Sequence, residues 1–205
     1  MLNEEVLKTL EKEAKENPHA VFAQHRLAIA YFKLGKLQEA KEAFKKVLKL
    51  DPYHFEAMVN LGIILAQEGE LEEAKKAFTF TLKFYPKSVE AWTNLGLIEF
   101  QLGNLEEAEK CYRKALELKP DFVSAAVNLS TVLIEKEEYE EAIKLLEEAA
   151  QYAPQLATLY NNLAVAYYYA GNKEKALENL NKAKELGYPV SKEFERLLKN
   201  EVSQV

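Results

Sequence analysis

The chain has little of several things, and each shortage excludes something. Among 205 residues there is a single cysteine, Cys111. One thiol cannot build an internal disulfide framework, and its scarcity fits a reducing compartment. No apolar run approaches the roughly 18 residues of a membrane-crossing helix. The opening stretch MLNEEVLKTLEKEAKENP is charged throughout and lacks the apolar centre of a secretion signal. A cytoplasmic protein without membrane insertion is the expectation. Basic residues do not dominate, for the net charge is −6. Nucleic acid and anionic membrane both call for a cationic surface, so neither is expected as the main partner. Glycine-rich phosphate loops are also missing, since the seven glycines fall singly.

What is present is ample for a packed core, with 48% hydrophobic and 11% aromatic residues. The charges are skewed. Three of the 27 basic residues are arginines and two of the 33 acids are aspartates. Lys/Glu enrichment with little Cys and Met is a thermophile signature, although long helices favour the same residues.

The order of the sequence is periodic. Prolines stand at Pro18, Pro52, Pro86, Pro120 and Pro154, each 34 residues after the last, with Pro189 one residue late. Gly35, Gly69, Gly103 and Gly171 keep the same period, with Glu137 in the missed place. Ala40, Ala74, Ala108, Ala142 and Ala176 keep it without a gap. A fixed period of this length marks a repeat array. Each unit carries two helical patterns, such as Trp92, Leu95 and Ile98, then Ala108, Cys111, Tyr112 and Ala115. The glycine sits where one helix must reverse into the next, a left-handed position that side chains tolerate poorly. The proline stops the second helix. The small residue opening each second helix permits close approach of its partner.

On these residues the chain resembles the tetratricopeptide repeat. The third unit carries the fullest pattern, with Trp92, Leu95, Gly96, Ala108, Tyr112, Ala115 and Pro120, and with Glu99 where the family prefers tyrosine. The resemblance covers five units, residues 21–190. It implies an all-α fold, a right-handed superhelical solenoid of antiparallel helix pairs with about twelve helices. The units are expected as a leading helix in 1–18, repeats at 21–54, 55–88, 89–122, 123–156 and 157–190, and a capping helix in 190–205, all in one array. Open stacks expose an apolar face at each end, and caps cover it.

Little chemistry is left over. His19, His25 and His54 form no local metal-ligand set, and Cys111 lies on a second-helix pattern as a small packed hydrophobe. Glutamate pairs such as Glu72–Glu73 and Glu106–Glu107 open second helices, where they favour the helix dipole rather than acid–base work. The acceptor-like triplet at Asn128–Ser130 falls inside a helix. A non-catalytic protein without cofactor or metal is expected.

The resemblance further implies that first helices line a concave groove. At one groove position stand Arg26, Asn60, Asn94, Asn128 and Asn162, with Asn161 beside the last. A primary amide offers two donors and an acceptor, so a ladder of them suits a peptide backbone of any sequence. Rungs about 10 Å apart would meet roughly every third residue of an extended peptide. Side-chain bonds bracing neighbouring helices are the alternative use of the same residues. One flanking row is Ile29, Ile63, Leu97, Thr131 and Val165, and another is Phe32, Ala66, Phe100, Ile134 and Tyr168. The lysine and asparagine pattern of the family's carboxylate clamp is absent. The expected function is a scaffold holding an extended segment of a protein or peptide partner. Self-association into a homo-oligomer is the alternative.

Overall fold

The computed structural model describes residues 4–202, with side chains through residue 200. Residues 1–3 and 203–205, assigned above to the leading and capping segments, lie outside the described residues. The described chain is all-α, in twelve helices: α1 (Glu4–Glu16), α2 (Val21–Lys33), α3 (Leu37–Leu50), α4 (Phe55–Gln67), α5 (Leu71–Phe84), α6 (Val89–Gln101), α7 (Leu105–Leu118), α8 (Val123–Glu135), α9 (Tyr139–Ala150), α10 (Ala157–Tyr169), α11 (Lys173–Glu185) and α12 (Lys192–Val202). Contacts divide it into two compact units, Met1–Ile98 and Glu99–Val205, so that the boundary falls within α6.

In the first unit α1 packs on α2, α2 on α3, α3 on α4 and α4 on α5. In the second, α7 to α12 pack consecutively, and α8 also touches α10. Each is therefore a stack of helix pairs, the solenoid arrangement.

The periodic residues explain the pairs. Gly35, Gly69, Gly103 and Gly171 all have φ between 71° and 83°, the left-handed conformation that turns a first helix into a second. Glu137 adopts the same conformation at φ 63° despite its side chain. The alanines that open the second helices are fully buried, from Ala40 to Ala176. Four residues later a bulky column follows, in Phe44, Phe78, Tyr112, Leu146 and Leu180, each at most 1% exposed. Each such burial contributes about 1.5–3 kcal/mol. Opposite it on the first helices lies a column of small residues, including Ala28, Gly62, Ser130 and Ala164. A Cβ at Gly62 would stand 2.8 Å from Cζ of Phe78. That pair can meet this closely because one partner has no side chain.

Helix ends are satisfied locally. Ser88 Oγ accepts from Ala91 N at 3.0 Å, and Asn172 Oδ1 from Lys175 N at 3.1 Å. Gln24, only 2% exposed, donates from Nε2 to the Ala14 carbonyl at 2.7 Å and so covers the end of α1. Glu99, 4% exposed at the family's tyrosine position, accepts from Asn104 Nδ2 at 2.8 Å.

α12 closes the second unit. Leu198 is fully buried in the core that holds Leu163, Ala164, Tyr167 and Leu180, with Val190 and Phe194 packed against it. Leu197, by contrast, is 40% exposed. Glu195 accepts from Lys199 Nζ at 2.7 Å and from Lys184 Nζ at 2.9 Å. Those two ammoniums hold its carboxyl down at about 2.

Candidate functional site

The first helices of the pairs carry the residues proposed to face a ligand. In the second unit, α8 and α10 lie side by side, and position 128 of α8 corresponds to position 162 of α10. Asn128 and Asn162 are both half-buried, as are Thr131 and Ile134 on α8 and Asn161, Val165 and Tyr168 on α10. Phe100, in the last turn of α6, is half-buried too.

The two asparagines are not equivalent. Asn162 Nδ2 lies 3.2 Å from Ser130 Oγ, 3.2 Å from Thr131 Oγ1 and 3.5 Å from the Val127 carbonyl. Its donors therefore brace α10 against α8, leaving its carbonyl oxygen for any other partner. Asn128 makes no side-chain hydrogen bond among the described residues. A half-buried amide with both donors and its acceptor unspent is able to take a peptide group. Tyr168 is partly covered from the C-terminal side, its ring meeting Phe194 of α12 edge-on at 5.4 Å. The wall it offers is shared with that helix.

In the first unit the corresponding residues are also half-buried, at Ile29, Phe32, Asn60, Ile63, Ala66 and Asn94, while Leu97 is 37% exposed. Asn60 Nδ2 donates at 2.8 Å to the Glu56 carbonyl of its own helix. Asn94, like Asn128, has no side-chain hydrogen bond among the described residues. Arg26 departs from the pattern. Its Nη1 donates to both carboxylate oxygens of Glu13 at 3.0 and 2.9 Å, and its guanidinium lies 5.4 Å from the Phe22 ring centre. The cation is thus partnered by the leading helix, a neighbour that the repeat pattern did not supply.

Nearby, His25 and His54 stack with ring centres 4.5 Å apart, and His25 Nε2 lies 3.1 Å from Glu56 Oε2 without hydrogen-bond alignment. Burial pushes the His25 imidazole below its ordinary value, helped by His54 and opposed by Glu56. Among the described residues no group of three or more His, Cys, Asp or Glu could hold a metal ion. Among the described residues no helix is long and apolar enough to cross a membrane. Cys111 is buried.

Family models described as tetratricopeptide repeat match residues 21–54 and 89–122, 43–76, and 121–186. Together they span most of the chain. The chain belongs to the tetratricopeptide repeat family.

Solved structures agree in fold. The Pseudomonas aeruginosa PilF protein superposes with a TM-score of 0.81 at 23% identity, over 96% of this chain and 89% of that one. YrrB, described as a tetratricopeptide protein with an unusual peptide-binding site, gives 0.70 at 22% identity, over 96% and 98%. A MamA protein gives 0.70 at 23% identity, over 83% and 96%. At these identities the likeness establishes the fold. Comparison with curated proteins gives no match.

Proposed function

We propose that this tetratricopeptide protein is a non-catalytic scaffold whose first-helix faces hold an extended segment of a protein partner. The observation that carries this reading is Asn128. Its half-buried amide makes no side-chain hydrogen bond among the described residues, and the half-buried Ile134, Val165 and Tyr168 stand at the flanking register positions of the same two first helices. Asn94 repeats the feature in the first unit. Amides would bond to the partner's backbone, giving tolerance of sequence, while the flanking side chains would form shallow pockets that select among partners. That a protein of the same fold, YrrB, is described as having a peptide-binding site supports the reading.

The assay is site-directed photocrosslinking. A photoreactive phenylalanine placed at Thr131 or Val165 should capture peptides from a proteome digest of the source cells. The same group at Glu148, exposed on the second helix α9, should capture few. Equal capture at all three positions would contradict the assignment of the binding face.

A further inference from the structure

The amide of Asn162 is held in one direction, and the cause lies in α8. Ser130 Oγ donates its single proton to the Val127 carbonyl at 2.7 Å, and Thr131 Oγ1 lies 3.3 Å from the same oxygen. Ser130 Oγ therefore meets the Asn162 amide, 3.2 Å away, with lone pairs only. The Val127 carbonyl, 3.5 Å from that amide, has no proton to give either. An amide oxygen turned toward α8 would face two oxygens unable to donate. The nitrogen is thus the end that points there, and with Thr131 Oγ1 at 3.2 Å its two protons have three acceptors. The oxygen is left over. Asn162 Oδ1 has no hydrogen bond among the described residues. The buried side-chain polar atom that lacks a partner among them is His25 Nε2, so Oδ1 of Asn162 is open to solvent.

The other asparagines of the row are not held in this way. At 34-residue spacing the place of Ser130 is taken by Ala28, Gly62, Gly96 and Ala164, and that of Thr131 by Ile29, Ile63, Leu97 and Val165. None of these has a hydroxyl. Asn60 spends one N–H on the Glu56 carbonyl and keeps the other. Asn94 and Asn128 keep both among the described residues. These three amides can give or accept a hydrogen bond, whereas Asn162 can only accept.

We infer that Asn162 is a specificity-determining residue, which admits a partner's extended segment only where that segment presents a backbone N–H. The inference rests on the reading of the first-helix faces as a binding surface. Proline has no N–H and is refused at the one residue that meets Asn162. A carbonyl placed there would set lone pairs against lone pairs and leave both oxygens unpaired. Side chains at that residue are not read, so the filter acts on the backbone alone. Rungs about 10 Å apart, against a rise of about 3.3 Å per residue, put this residue about three away from the one that meets Asn128.

The probe is a random dodecapeptide display library selected on the full chain. Peptides are kept if the Asn94→Ala, Asn128→Ala double variant binds them about tenfold more weakly or worse. Each is remade with the backbone N–H replaced by an ester oxygen at one residue after another, and titrated by fluorescence anisotropy. At one residue the ester should cost about tenfold with the parent protein and less than about twofold with Asn162→Ala. Proline at that residue should cost at least as much as the ester. The residue should lie about three from any whose penalty depends on Asn128. Because Asn162→Ala also loses its bonds to α8, a second variant keeps the asparagine and removes the lock. Ser130→Ala with Thr131→Val introduces residue types that other repeats carry at these positions, so it should fold. There the ester penalty should shrink, since the released amide can turn either end to the peptide. An ester scan in which no penalty depends on Asn162 would overturn the inference while leaving the binding faces in place. Coupling of Asn162 to a side chain of the peptide, rather than to its backbone, would overturn it equally. A library without any peptide sensitive to the double variant would overturn both the inference and the reading on which it rests.

Discussion

Glu137→Gly should stabilise the protein, and the amount can be worked from the turn itself. Glu137 sits at φ 63° between α8 and α9, where four other turns place glycine. Holding a side chain in the left-handed region costs about 1–2 kcal/mol. Glycine returns part of that through the larger entropy of its unfolded chain, about 0.5–1 kcal/mol. The net gain is about 0.5–1 kcal/mol. The substitution leaves the local ion pairs intact, since Lys136 bonds to Glu109 at 2.5 Å and to Glu138 at 3.0 Å without involving residue 137. For a chain of this size the gain corresponds to a melting-temperature rise of about 1–4 °C. Differential scanning calorimetry reads it directly, and circular dichroism in urea gives the free energy. The reverse change, Gly103→Glu, should cost a similar amount. A Cβ there meets nothing within 4 Å, so its cost is purely that of the backbone. A Glu137→Gly protein that melts at or below the parent temperature would refute this account of the turns.

Three further outcomes are expected. Gly62→Ala should lower stability by about 1–3 kcal/mol in urea titration, because the new Cβ meets the fully buried ring of Phe78 at 2.8 Å. Asn162→Ala should cost about 0.5–1.5 kcal/mol through loss of its bonds to α8, whereas Asn128→Ala should leave stability unchanged within about 0.5 kcal/mol. Stability should fall as pH drops from 7.5 to 5.5. The folded state holds His25 below its ordinary value, so the unfolded state binds more protons over that window. His25→Phe should flatten that part of the urea-midpoint profile, and an unaltered profile would assign the slope elsewhere.

The fold was legible because its residues obey two short-range rules that the period multiplies. Glycine at each reversal and alanine at each close helix approach can be read without any knowledge of distant contacts, and both sets take the positions that their chemistry demands. Even the exception, Glu137, was visible as a missing glycine. The site was less legible because hydrogen-bond partners are set by packing across helices. Four asparagines at equal spacing look identical in sequence. The Asn162 Nδ2 donors are engaged because Ser130 and Thr131 offer hydroxyls on α8, while Asn60 turns back to its own helix. Arg26 was placed among the ladder positions, yet its partner Glu13 belongs to the leading helix, outside the five repeats. Tyr168 stands in a row flanking the groove position in the sequence, and Phe194 of α12 covers part of it.

The central claim concerns the unspent amides of Asn94 and Asn128. The direct measurement is the affinity of the Asn94→Ala, Asn128→Ala double variant, by anisotropy titration, for peptides that crosslink at Thr131 or Val165. Each lost hydrogen bond should cost about 0.5–1.5 kcal/mol, so affinity should fall about tenfold to a hundredfold. The loss should be similar for peptides of unrelated sequence, while the melting temperature stays that of the parent. Parental affinity in the double variant would contradict the account.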